Sequence, residues 1–184
     1  VSKDVEKDRY GRPKIRSGIP AANLGVQGQQ VNSLDVFSTN LKFEEGHPDA
    51  LVIQCSDGRY TSIVSELMKS NGIFRYDVMA MPGGPALLDM ASASILQSEA
   101  CKAGTAFLIK GHNTRKVWLL AHSSCGYYKY NLNGMPQSTI IERQTNDLQR
   151  AANWLLSVDK TLAVYATYIT HENGAVSFKA IEIE

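Results

Sequence analysis

Short apolar runs that stop abruptly in polar residues alternate along this chain with stretches whose apolar positions return at helical spacing. Leu51-Val52-Ile53 leads into Gln54-Cys55-Ser56-Asp57-Gly58-Arg59. That is the pattern of a buried strand delivering side chains to a loop at its C-terminal end. The predicted first strand is Ala50 to Gln54. A helix capped by Thr61 or Ser62 follows and runs to Asn71, with Ile63, Val64, Leu67 and Met68 on its apolar face. Tyr76 to Met81 reads as a second strand, closed by the turn Pro82-Gly83-Gly84-Pro85. Leu87 to Ala103 reads as a helix ended by Gly104, which Thr105 to Lys110 either extend or leave as a separate segment. A third strand, Lys116 to Ala121, stops in His122-Ser123-Ser124-Cys125-Gly126.

Residues 126–138 read as a helical turn and loop, and Thr139 to Val158 as a long helix. Leu162 to Thr170 is the fourth strand. Glu172-Asn173-Gly174 carries the strongest hairpin signal in the chain, which makes Val176 to Ile183 a fifth strand antiparallel to the fourth. Upstream, Ser33-Leu34-Asp35 opens a short helix through about Glu45 with Leu34, Phe37 and Leu41 as its stripe. Gly46-His47-Pro48 stops it. Residues 1–33, rich in charge, Gly, Gln and Asn, form an N-terminal arm. The expected fold class is therefore α/β, a mostly parallel sheet of four strands with an antiparallel fifth edge strand, helices on both faces and an N-terminal arm. Residues 34–184 form its single domain. If strands one and three are neighbours, their polar ends meet in one crevice.

Composition narrows the function classes. A chain of 184 residues suits one domain with a full core. Its net charge of +1 offers no footprint for nucleic acid or an anionic membrane. No apolar stretch approaches the roughly 20 residues that span a bilayer. Three cysteines, Cys55, Cys101 and Cys125, do not make a disulfide framework and point to the cytoplasm or another reducing compartment. The start, Val-Ser-Lys-Asp, is compatible with a removed leader.

The two strand ends supply the candidate chemistry. Cys55, His122 and Cys125 suit zinc, which takes thiolate and imidazole in four-fold geometry and in catalytic sites keeps one position open. Asp57 and Arg59 lie two apart on the first loop, where the arginine would keep the carboxylate ionised and oriented. By residue type alone this stands beside a blander reading, in which each cysteine is a small apolar filler. Rival cysteine chemistries fit less well. A phosphatase-like loop needs an arginine where Thr61 stands, and a thioredoxin-like pair needs Cys-x-x-Cys. Cys–His nucleophilic catalysis stays open on composition.

At these residues the chain resembles the β-class carbonic anhydrases. Their Cys-x-Asp-x-Arg stands here as Cys55-Ser56-Asp57-Gly58-Arg59, and their His-x-x-Cys as His122-Ser123-Ser124-Cys125, with Gly126 following. The resemblance runs from about residue 34 to the C-terminus. It implies a Zn2+ ion on Cys55, His122 and Cys125, with Asp57 either a fourth ligand at rest or, paired with Arg59, the acceptor of a hydrogen bond from a metal-bound hydroxide. It implies reversible hydration of CO2 to bicarbonate, and a homodimer or larger homo-oligomer whose arm wraps a neighbour. Three features depart from the family's pattern: Gly46 stands where many members carry a glutamine, Met81-Pro82-Gly83-Gly84 where many read Asn-Ala-Gly, and the Cys55-to-His122 interval is long, with extra residues near Lys110 to Arg115. The alternatives are a relative acting on another small linear molecule, carbon disulfide or carbonyl sulfide, and a zinc-binding relative without catalysis.

The remaining candidates carry blander expectations. His47 is expected at a helix end, and His112 and His171 in solvated turns. Cys101 is expected to pack inside a helix. Gly83 and Gly84 are expected to shape a turn and not to bind phosphate, since no strand-GxGxxG-helix context surrounds them. Tyr127, Tyr128 and Tyr130 suit a pocket or an interface equally.

Overall fold

A strand covered by helices on both faces must be apolar on both, and the run around Leu51 meets that condition. β1 (Ala50–Cys55) is buried over its first four residues, and β3 (Lys116–His122) at every residue after Lys116. The computed structural model describes residues 39–183. The chain divides into two units between Glu45 and Gly46. The second unit continues with α1 (Thr61–Ser70), β2 (Tyr76–Met81), α2 (Ile95–Gly111), α3 (Gly126–Asn131), α4 (Gln137–Val158), β4 (Ala163–Glu172) and β5 (Ala175–Ile181). Tight 3-10 turns stand at Gly58–Tyr60 and Gly84–Leu88.

The sheet runs β2-β1-β3-β4-β5. All neighbours are parallel except β4 and β5, which are antiparallel. The chain leaves β1 for β2 in one direction, then crosses back over β1 to β3 and on to β4. Right-handed crossovers therefore place α1 on one face and α2 and α4 on the other. The core divides accordingly. Leu51, Ile53, Val117, Leu119 and Ala121 pack with Cys101 and Ile109 of α2 and with Leu148, Ala151, Ala152 and Leu155 of α4. Ala50, Val52, Trp118 and Leu120 pack with Val64 and Met68 of α1. Each fully buried Leu or Val contributes roughly 1.5–3 kcal/mol. The strand order reverses at β1 and β3, so the crevice at their C-terminal ends is where the fold places a site.

The expected architecture is observed, and the differences are local. The expected helix up to Glu45 is not formed over residues 39–45. Leu41 and Phe43 are exposed there, and a short amphipathic segment whose described apolar residues stay exposed gains too little from them to offset its ordering. The rest of that segment and the arm over residues 1–33 lie outside the described residues. The helix expected over Leu87–Ala103 is two pieces. Leu87 and Leu88 belong to the 3-10 turn, and α2 starts at Ile95 under a capping box in which Ser94 and Gln97 satisfy each other's backbone N–H. Thr105–Lys110 continue α2, and Gly104 lies inside it. Neither Thr61 nor Ser62 caps α1. Asp57 instead caps the preceding 3-10 turn by accepting the Arg59 N–H. The Asn173-Gly174 hairpin has φ of 49° and 81°, the left-handed pair that a type I′ turn requires.

Gly84 closes the loop after β2 against the end of β1. Its φ is +53°, and an added Cβ would lie 2.6 Å from the Gln54 carbonyl carbon and 2.7 Å from the Cys55 nitrogen. Both contacts are backbone and cannot swing aside. Gly84→Ala is expected to cost about 2–4 kcal/mol from overpacking and left-handed strain together, read from chemical denaturation. An unchanged midpoint would show that the loop yields freely.

Candidate metal centre

Register brings the two strand ends together. Gln54 pairs with Leu120, so Cys55 at the end of β1 and His122 at the end of β3 reach the same edge of adjacent strands. Ser124 then takes a left-handed φ of 59°, which turns the chain so that Cys125 comes back towards Cys55. That conformation costs a non-glycine residue roughly 1–2 kcal/mol. Cys125 immediately precedes α3.

One ligand atom from each of Cys55, His122 and Cys125 lies within 4.8 Å of the others. The two sulfurs are 3.7 Å apart. A disulfide would bring them to about 2.05 Å, and the cysteines are free. Two sulfurs each about 2.3 Å from a tetrahedral ion stand about 3.8 Å apart, so the observed spacing fits one ion between them. The imidazole is fixed beside them. His122 is buried, and its Nδ1 lies 2.8 Å from the Ser123 carbonyl oxygen. A carbonyl only accepts, so Nδ1 carries the hydrogen and Nε2 keeps its lone pair. That Nε2 is buried with no hydrogen-bond partner. A lone pair without a donor beside two sulfurs is the donor set of a soft or borderline metal ion.

The sulfurs do not titrate alike. Cys55 is drawn well below an ordinary thiol, first by the hydrogen bond from Cys125 and, against its own burial, by the backbone N–H groups of Gly83 and Asp57. Cys125 is pushed up by Cys55 and by burial. A divalent cation bound between the sulfurs would displace thiol protons.

Asp57 and Arg59 form a fork beside this cluster. Arg59 Nε donates to Asp57 Oδ1 at 2.9 Å, and Nη2 to Oδ2 at 2.5 Å. The Arg59 backbone N–H also reaches Oδ1, at 3.1 Å. The guanidinium hydrogen bond is the largest cause holding the Asp57 carboxyl down to about 2. Thus Cys55, His122 and Cys125 converge, while Asp57 is engaged with Arg59 next to them.

Three further residues make hydrogen bonds around the site. Gln144 of α4 is buried and donates from Nε2 to the His122 carbonyl at 2.9 Å. Tyr168 of β4 donates its hydroxyl to Gln144 Oε1 at 2.9 Å. Tyr60 donates to the Ser123 carbonyl at 3.2 Å. Gln144 had a sequence signal, as a polar residue midway between Ile140 and Leu148 on an apolar stripe. Tyr60 and Tyr168 had none, because a tyrosine among apolar neighbours reads as ordinary core.

The other candidates divide. Cys101 packs in the core, its Sγ 3.3 Å from Met81 Sδ. His112 is not in a free turn. It caps the C-terminus of α2, and its Nδ1 lies 2.6 Å from Asp77 Oδ2. His171 lies within β4 and not in a turn. His47 follows no helix, since residues 39–45 form none. Tyr128 is buried against Asp147 at 2.7 Å, Tyr127 donates to the Ser92 carbonyl, and Tyr130 is exposed. Gly83 and Gly84 shape the turn, both at positive φ.

A family model described as "Putative carbonic anhydrase" matches residues 47–179, which include all five motif residues. The chain belongs to the β-carbonic anhydrase family. Among solved structures, the β-carbonic anhydrase CafA of Aspergillus fumigatus is similar with a TM-score of 0.51 at 13% identity, over 76% of this chain and 78% of that one. At that identity the likeness shows the shared fold. Isoform I of the Trichomonas vaginalis β-carbonic anhydrases matches with a TM-score of 0.48 at 11% identity, over 75% of this chain and 86% of that one. The carbonic anhydrase of Glaciozyma antarctica gives 0.49 at 14%, over 91% and 98%. No curated protein matches the chain in sequence. No helix among the described residues is long and apolar enough to cross a membrane.

Proposed function

We propose that this protein is a zinc-dependent carbonic anhydrase that interconverts CO2 and bicarbonate. The observation that carries the reading is the buried, unpartnered His122 Nε2 facing a sulfur pair 3.7 Å apart. Cys55, His122 and Cys125 would hold a Zn2+ ion. Bound there, zinc would supply a Lewis acid that lowers the pKa of a coordinated water to about 7.

The chain's own groups do the rest. Asp57 would offer a carboxylate oxygen as a hydrogen-bond acceptor that orients the reacting water toward CO2. Arg59 keeps that carboxylate ionised and its plane fixed through two parallel hydrogen bonds. The fork favours this acceptor role over direct ligation by Asp57, since both carboxylate oxygens are already engaged by the guanidinium. Gln144 and Tyr168 hold the backbone that carries His122. Exposed Ile95, Leu96 and Phe107 on α2, with Val78 on the edge strand β2, support assembly into a homo-oligomer.

The deciding experiment is stopped-flow CO2 hydration by the zinc-loaded protein across the neutral pH range. Turnover is expected to be well above the buffer rate and to be removed by chelation. Stoichiometric zinc without turnover would leave the metal centre standing and reject the activity.

A further inference from the structure

Tyr60 follows the Cys55–Arg59 motif directly, and the mechanism above gives it no part. It ends the 3-10 turn that Asp57 caps and is only 6% exposed. Its ring lies over the His122 imidazole, with centroids 4.1 Å apart and planes tilted by 37°. Its hydroxyl donates to the Ser123 carbonyl at 3.2 Å, the same oxygen that receives the His122 Nδ1 hydrogen at 2.8 Å.

Two constraints on one imidazole follow. The hydroxyl holds the carbonyl that selects the Nδ1–H tautomer, and the ring face blocks rotation of the imidazole out of its plane. A metal-ligating histidine depends on both, because the hydrogen bond at one ring nitrogen sets the basicity and direction of the other. Tyr60 also joins the two loops that carry the ligands. It is covalently part of the Cys55 loop and hydrogen-bonded to the His122 loop.

We infer that Tyr60 is a positioning residue for the metal centre, holding His122 so that Nε2 faces the two sulfurs. It touches neither the ion nor the substrate and acts through His122. The inference rests on the zinc reading above and deepens it by naming a support outside the motif. Its effect is therefore on affinity and on the imidazole, and only secondarily on turnover.

The test compares wild type with Tyr60→Phe, which keeps the ring and loses the hydroxyl, and with Tyr60→Leu, which loses both. Zinc affinity is measured by competition with a chromophoric chelator, and 15N NMR of the histidine rings follows the tautomer of His122. Tyr60→Phe is expected to keep the metal-free melting temperature close to wild type. Its zinc Kd should rise about tenfold, and Tyr60→Leu should approach a hundredfold, the span that lost outer hydrogen bonds produce at metal sites. The His122 Nδ1 proton should also exchange faster with water in both variants. If wild type binds zinc tightly while both variants stay within twofold and His122 keeps its ring shifts, this inference is overturned alone. A wild type that takes up no zinc overturns both this inference and the metal centre it depends on.

Discussion

Cys125→Ser is expected to lose tight zinc binding and with it the zinc-dependent part of the protein's thermal stability. Serine is nearly isosteric and Cys125 is buried, so the metal-free variant should differ little from metal-free wild type. The difference appears on adding zinc. An ion that binds only the folded chain stabilises it by about 4 kcal/mol when present at a thousand times its Kd. For a chain of this size that is a rise of about 8–16 °C in melting temperature. The variant keeps one sulfur and one imidazole, and a hydroxyl does not replace a thiolate as a zinc ligand. Thermal scans of both proteins, with and without zinc, give the answer. An equal zinc-induced rise in wild type and variant would remove Cys125 from the ligand set.

Asp57→Asn separates metal binding from catalysis. The amide keeps the shape of the side chain and can still accept the Arg59 N–H, so the turn should survive. What it loses is the charge. Zinc stoichiometry should stay at one, and CO2 hydration should fall by about two orders of magnitude or more, the range lost with a positioned acid–base group. Full activity in the variant would contradict the role assigned to Asp57.

The same residue makes a statement about pH. Its folded pKa of about 2 lies below the unfolded value of about 3.9. The stability it contributes is therefore fully present above about pH 4 and is lost as pH falls through about 2. That contribution is small, because Arg59 is 67% exposed and water screens the pair. For catalysis the consequence is larger. Asp57 stays ionised throughout the neutral range, so an activity transition near neutrality belongs to another group. Asp57→Asn should lower the amplitude of the pH profile and, by removing a nearby negative charge, move its midpoint to lower pH.

The division of labour between sequence and fold shows in particular residues. Local chemistry was legible where one physical rule operates without competition. The apolar runs at Leu51 and Val117 had to be central strands, because only strands covered on both faces are apolar on both. The Asn173-Gly174 pair had to turn a hairpin, because few other residues accept two successive left-handed positions. The alternation of strand and helix then dictated a parallel sheet, and the five motif residues fell at strand ends.

The helix after β2 was less legible because two signals compete there. Leu87, Leu88 and Met90 extend the apolar stripe backward, while the Ser94–Gln97 capping box starts the helix later. The box prevails because it satisfies backbone donors that would otherwise go unpaired. The segment before Gly46 has the pattern of a helix but buries neither Leu41 nor Phe43, and periodicity cannot say whether a face finds a partner.

By itself the sequence determined which atoms could bind a metal: two sulfurs and an imidazole at the ends of two strands, with a carboxylate and a guanidinium beside them. Only the tertiary structure decided that they meet. Strand order is a choice among long-range pairings that no local residue encodes. Here it sets β3 beside β1 and brings the sulfurs to 3.7 Å. It also decided which polar groups surround His122. Packing brings Gln144 to the His122 carbonyl, Tyr168 to Gln144 and Tyr60 to the Ser123 carbonyl, although all three are remote in sequence.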